Sequence, residues 1–296
     1  MNIHAGLDEL AFRFSALTMK GRGYFSEQYE GSRLTDLPGD TRVDLPEIAG
    51  EGYLQGKGFC GEIPVDPGVL IHRWVGPEAP LIIYHHGAAE GSFDFSFRNI
   101  FNRRLFRQRS FNLAAIKGPF CRTNGEYYGA VRDMKRYQAL IAGSVLTIEK
   151  LIRHFRSVSR APVCVAGTSL GGEIACLHSL LYDSADLYLP LLAGTDTAEI
   201  FLTSSYAVTC DPQVRREHGE TLRGLLNFGE AFRAADNQKV YPVLARYDRL
   251  FLLEAQAPYF RAENLTILNR GHVTGGLSFS QIAAYLHRKT AGPRVN

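Results

Sequence analysis

In the segment VCVAGTSLGGEIA (residues 163–175), a run of small and apolar residues leads into Ser169, set between Gly167 and Gly171, and a helical pattern, EIACLHSLLY, follows. A buried strand, a tight turn and a helix fit this order. Gly167-Thr168-Ser169-Leu170-Gly171 has the G-x-S-x-G spacing of a nucleophile elbow. Strand and helix pass close together at such a turn, so the residues two before and two after the serine must be small. The turn pushes the serine hydroxyl into a cleft, and the helix sets its positive end beneath it. A structural Gly-rich turn is the other reading of the same residues. The strand pattern before it and the helix pattern after it favour the elbow.

The rest of the chain supplies a rhythm. VLIHRWV (69–75), PLIIYHHG (80–87), FNLAAIKG (111–118), APVCVAG (161–167), LYLPLLAG (187–194), YPVLARYD (241–248) and LTILNRGH (265–272) read as strands. Between them, about 129–157 has apolar residues at helical spacing, among them Met134, Leu140, Ile141, Ile148 and Ile152, and SFSQIAAYLHRK closes the chain as a helix. Strands alternating with helices predict an α/β fold with a mainly parallel sheet, and near-continuous apolar strands predict one buried on both faces. Residues 3–20 read as a helix and 21–57, rich in Gly, Pro and Asp, as surface loops; about 1–60 is an N-terminal extension. The charged stretch of about 196–236 reads as a small cap over the carboxyl edge of the sheet, where ligands bind in such folds. The whole of 1–296 is expected to form one domain.

Composition narrows the function classes. A net charge of +3 with 21% charged residues is too weak to argue for nucleic acid or a membrane surface, and the arginine clusters at 98–109, 132–136 and 153–160 read as solvated helix faces. Five scattered cysteines without a C-x-x-C pair suggest neither a zinc site nor a disulfide framework, and a reducing cytoplasm is the expected location. The N-terminus has no apolar core of a secretory signal, and no run of 18 apolar residues predicts a membrane span.

A serine hydroxyl is a poor nucleophile until a base takes its proton and an acid orients the base. Of the histidines after Ser169, His178 shares its helix and should point away, His218 lies in the charged cap, and His287 sits in the closing helix. His272 follows the last strand directly, in a loop between Gly271 and Gly275, and is the candidate base. Asp248, at the end of the preceding strand, is the candidate acid, with a helix N-cap as its other reading. Asp196, after an earlier strand, is the alternative acid. An oxyanion hole needs the N–H after the nucleophile, here Leu170, and one from the loop His85-His86-Gly87-Ala88-Ala89, where Ala88 is preferred and Ala89 second. Adjacent strand residues point to opposite faces, so His85 and His86 make a poor metal chelate, and no metal is expected. His86, Ala89, Phe93, Tyr127 and Tyr128 are candidate substrate contacts. The phenylalanines of 91–101 read first as core packing, with the wall of an acyl pocket as the other reading.

Strand-His86-Gly87, the elbow at Ser169, strand-Asp248 and Gly271-His272, in this order, resemble the α/β-hydrolase superfamily over roughly 65–290. The resemblance implies an α/β-hydrolase fold with a mostly parallel, eight-stranded sheet, a Ser-His-Asp triad, no cofactor, and acyl transfer to water. Its implied partner is a small-molecule acyl substrate, a carboxylic ester first and a thioester, amide or peptide as alternatives. The segment FCRTNGEYYG (120–129) departs from the turn many relatives have there. Two readings of other classes stand beside it. One is a ligand-binding protein on the same scaffold without turnover; the other is an acidic-ligand or nucleic-acid binder using the arginine clusters.

Overall fold

The computed structural model describes residues 2–19, 22–48 and 50–291. Lys20, the expected last residue of the N-terminal helix, lies outside them, and that helix spans Ile3–Thr18. The strands are β1 (Thr41–Asp44), β2 (Gly52–Gln55), β3 (Lys57–Cys60), β4 (Ile63–Val65), β5 (Gly68–Arg73), β6 (Leu81–His85), β7 (Asn112–Lys117), β8 (Val163–Thr168), β9 (Leu187–Leu191), β10 (Val243–Ala245) and β11 (Thr266–Leu268). Eight of them form one sheet in the order β11-β10-β9-β8-β6-β7-β5-β2. The pairs from β7 through β6, β8, β9 and β10 to β11 are parallel; β2 and β5 join antiparallel at one edge.

Every residue of β6, β7 and β8 is buried, because helices cover both faces of the sheet. Ile83, Ala114, Ile116 and Val165 pack under the long helix Met134–Val158 and the helix Leu170–Leu181. Ile82, Tyr84, Ala115 and Cys164 pack against Phe95–Phe101 and the closing helix Phe279–Thr290 on the other face. The alternation along each strand is the ordinary two-residue repeat, filled on both sides.

The expected loop segment 21–57 needs correction. It contains β1, β2 and the start of β3, and β1, β3 and β4 form a small antiparallel sheet of their own. These strands are short, β1 and β3 alternate buried and exposed residues, and β2 is mostly exposed at an edge. None offers the continuous apolar run by which the central strands were legible. The 196–236 stretch folds as short helices, Ala198–Leu202, Pro212–Glu217, Gly219–Leu226 and Gly229–Ala234. Among the described residues, no helix is long and apolar enough to cross a membrane.

The chain reverses its winding direction between β6 and β8, which lie side by side although β7 comes between them in sequence. Such a switch point opens a crevice at the carboxyl ends of the strands. The residues after β6, β8, β10 and β11 converge there.

Candidate active site

Ser169 stands in the turn between β8 and the helix Leu170–Leu181, with φ 55° and ψ −118°. A non-glycine residue with positive φ is strained and is held only by its surroundings. Here the holding contacts are visible. A Cβ on Gly167 would lie 2.3 Å from the backbone of Gly171, and one on Gly171 would lie 2.2 Å from the His85 carbonyl oxygen. The Ser169 N–H donates to the Leu191 carbonyl at 2.8 Å. The elbow is therefore clamped between β6 and β9, and both glycines are required by close approach.

His272 Nε2 lies 3.0 Å from Ser169 Oγ, and its Nδ1 lies 2.9 Å from Asp248 Oδ2. A carboxylate only accepts, so Nδ1 carries the proton and Nε2 is free to accept from the serine hydroxyl. Asp248 is buried in the turn after β10, and its Oδ1 accepts the N–H groups of Leu250 and Phe251 at 2.7 and 2.9 Å. It thus caps its own turn with one oxygen and meets His272 with the other. Burial pulls the His272 pKa down, but Asp248, with a smaller push from Asp8, outweighs this and leaves it above the ordinary imidazole value.

Asp196 does not meet His272. Its Oδ2 accepts the Tyr259 hydroxyl at 2.5 Å. His272 is not in a loop either; it opens a short helix, His272–Gly276. The reason is a residue that sequence reasoning missed. Asp8, fully buried on the N-terminal helix, accepts from the backbone N–H of His272 (2.6 Å), Val273 (2.9 Å) and Arg249 (3.1 Å). It caps the helix that bears His272 and ties it to the turn that bears Asp248. A Cβ on Gly271 would lie 2.7 Å from the same carboxylate, so the residue before His272 is glycine to let Asp8 in.

The loop after β6 is held by Glu90, also unforeseen. Its carboxylate accepts the Gly87 N–H at 2.6 Å and both the N–H and the hydroxyl of Ser96 at 2.9 Å. The Gly87 amide is thereby committed. Ala88, Ala89 and Leu170 all face the cavity that opens over Ser169, and Ala89 has a left-handed φ of 52°.

His86 is buried and does not line that cavity. Its Nε2 accepts the Gly118 N–H at 3.2 Å, so its Nδ1–H donates to the Gly87 carbonyl at 2.7 Å. The rings of His85 and His86 stack at 4.6 Å instead of pointing to opposite faces, because β6 ends at His85 and the strand alternation ends with it. Among the described residues, no cluster of His, Cys, Asp or Glu has the arrangement of a metal site. Phe93 also lies outside the cavity, packed against Tyr53, while Phe97 and Phe101 fill the core below the other sheet face. His178 is buried against Tyr188 and Glu149 behind the elbow helix.

The cavity has a volume of about 200 Å³. The N-terminal helix contributes Phe12 to its wall, and the 196–236 stretch contributes Ile200, Phe201 and Tyr206. Tyr127 and Tyr128 close another side. Glu173, one turn along the helix from Ser169, also lines it, although the residue is only 1% exposed. Its Oε1 has no hydrogen-bond partner. Burial pushes its carboxyl up to about 8, against a weaker opposing pull from the Thr197 hydroxyl.

No protein-family model matches the sequence, and a search of curated proteins finds no match either. Solved structures match in shape. Acylaminoacyl peptidase from Pyrococcus horikoshii gives a TM-score of 0.56 at 11% identity over 86% of this chain, which spans only 42% of the peptidase. Acetyl xylan esterase 1 from Thermoanaerobacterium sp. JW/SL YS485 gives 0.55 at 12% identity, covering 90% of this chain and 97% of the esterase. The 2,6-dihydroxy-pseudo-oxynicotine hydrolase gives 0.55 at 17% identity, covering 86% and 70%. At these identities the likeness is one of fold.

Two expectations follow from the two buried carboxyls. Asp8→Ala leaves three N–H groups without their acceptor and is expected to cost at least about 2 kcal/mol in urea unfolding. Glu173 holds its proton in the folded state up to a higher pH than the ordinary glutamate value of 4.5. The folded state therefore binds more protons than the unfolded state from about pH 4.5 to about 8, and stability falls as pH rises through that window. Glu173→Gln removes this loss. The difference in Tm between the variant and the wild type should grow in the variant's favour across the window and then level off. A constant difference would contradict this.

Proposed function

On the α/β-hydrolase fold that this chain has, we propose a serine hydrolase that cleaves an ester of a small or medium acyl group through an acyl-enzyme. One observation carries the proposal: the hydrogen-bonded chain from Asp248 through His272 to Ser169, with distances of 2.9 and 3.0 Å, at the floor of a cavity. In this reading Ser169 Oγ attacks the acyl carbonyl as His272 Nε2 takes its proton. Asp248 holds the imidazole and stabilises the imidazolium. The N–H groups of Leu170 and Ala88 stabilise the oxyanion, each worth about 3 kcal/mol of barrier. His272 then returns the proton to the leaving group as the tetrahedral intermediate collapses. A water molecule, deprotonated by His272, attacks the acyl-enzyme and releases the acid and the free serine.

The cavity volume of about 200 Å³ favours a short acyl group. Ser169, His272 and Asp248, with Ala88 and Leu170 on the wall of the same cavity, argue against a scaffold that only binds a ligand. Ester cleavage is preferred to peptide cleavage: the chain matches the acetyl xylan esterase over 97% of that protein's length but the larger peptidase over 42%. Tyr127, Tyr128 and Ala89 are the substrate contacts of this reading, with the 196–236 stretch as its cap.

A fluorophosphonate probe should modify Ser169, and Ser169→Ala should lose both the labelling and hydrolysis of p-nitrophenyl esters by several orders of magnitude. Labelling elsewhere, or turnover that survives in the variant, would sink the assignment. Because His272 must be neutral to act and its pKa is raised, the acid limb of kcat/KM should lie above 6.5, with activity rising as pH increases through it. Asp248→Asn should lower kcat by roughly 10⁴-fold through loss of the correct tautomer.

A further inference from the structure

We infer that the cavity selects an acyl group carrying a protonated amine, held by Glu173 inside a ring of aromatic side chains. The inference rests on the hydrolase reading above and names its substrate class.

Glu173 is the starting point. It sits where a leucine would pack, on the helix that begins at Ser169, yet it is a carboxyl group with an unpartnered oxygen at 1% exposure. Among the described residues no Lys or Arg lines the cavity, and His272 is engaged by Asp248 and Ser169. Thr197, beside it, offers only a neutral hydroxyl to the carboxyl. A buried carboxyl kept in this condition is costly to the fold unless something enters to pair with it.

The rest of the wall says what enters. Tyr24, Tyr137 and Phe201 close around one another with ring centroids 4.7 to 6.1 Å apart, and all three line the same cavity as Glu173. The Tyr24 hydroxyl is tied to those of Tyr127 and Tyr206 at 2.7 and 3.2 Å, which fixes the rings. Aromatic faces attract cations, and an entering ammonium group favours the ionised form of Glu173, so the carboxyl among the rings completes a site for it. An anionic acyl group would meet the Glu173 carboxyl with no Lys or Arg among the described lining residues to offset it. A plain alkyl chain would leave Glu173 unpaired. Glu173 is four residues from Ser169, about 6 Å along the helix axis, so the amine lies only a few bonds from the scissile carbonyl.

Two measurements test this. Ser169→Ala, which cannot turn over, is titrated with propylammonium chloride and with 1-propanol by calorimetry. Saturable binding of the ammonium at least tenfold tighter than the alcohol is expected, and Glu173→Gln in the same background should remove that margin. In turnover, the phenyl ester of 3-aminopropanoate is compared with that of butanoate, its uncharged isostere. The ratio of kcat/KM should favour the amine at least tenfold and collapse in Glu173→Gln, chiefly through KM. Equal binding of ammonium and alcohol, or a ratio unchanged in Glu173→Gln, overturns the inference. If the Gln variant does not fold, the two ligands and the two esters on the Glu173 protein decide it alone. Fluorophosphonate labelling of Ser169 without an amine preference defeats this inference only. Amine binding without labelling supports the amine site and defeats the hydrolase reading.

Discussion

The contact between Gly171 and the His85 carbonyl, with no room for a Cβ between them, is the constraint on which the site depends. It brings the start of the elbow helix against the end of β6, so the residue before that helix has no relaxed conformation. Ser169 takes the strain, at φ 55°. The same close approach places Leu170, which opens the elbow helix, and Ala88, in the loop after β6, on one cavity. The Tyr84 hydroxyl, 2.8 Å from Thr168 Oγ1, ties β6 to β8 just below the turn. Strain at one residue is held by packing on both sides, as is usual for positions where the backbone stores a functional geometry.

Carboxylates then do three different jobs around this point, and burial separates them. Asp248 meets an imidazole and two amides and is fully satisfied. Asp8 meets only backbone N–H groups and acts as a rivet between the N-terminal helix and the two turns that carry His272 and Asp248. Glu173 keeps an oxygen unsatisfied. Similar chemistry gives an orienting group, a cap and a vacant partner, according to how many donors the fold turns toward each.

The N-terminal helix shows why a pattern can mislead. Ile3, Leu7, Leu10, Phe14 and Leu17 make an apolar stripe, and apolar periodicity alone would turn that stripe inward. In the fold it is exposed, and the inner face carries Ala5, Asp8 and Phe12. Asp8 belongs inside because three amides of the opposing turns have no other acceptor. Those amides exist only once β10 and β11 are in place, so no local reading of residues 3–18 could have supplied them.

Sequence alone determined the central sheet, since β6, β7 and β8 are buried on both faces and so read as unbroken apolar runs. It determined the turn at Ser169 as well, because two glycines at fixed spacing are a local demand of a strand passing close to a helix. It pointed to Asp248 and His272 by their places after strands. Tertiary structure alone decided which acid faces the imidazole, since Asp248 and Asp196 both follow strands and only distance tells them apart. It decided that His86 and Phe93 support the loop and the core, and that β1 to β3 are strands despite short, half-exposed sequences. It also brought Asp8 to His272 across 264 residues of chain. The division is physical: spacing within one turn constrains neighbours in sequence, whereas a partner across the molecule is fixed only when the sheet closes around it.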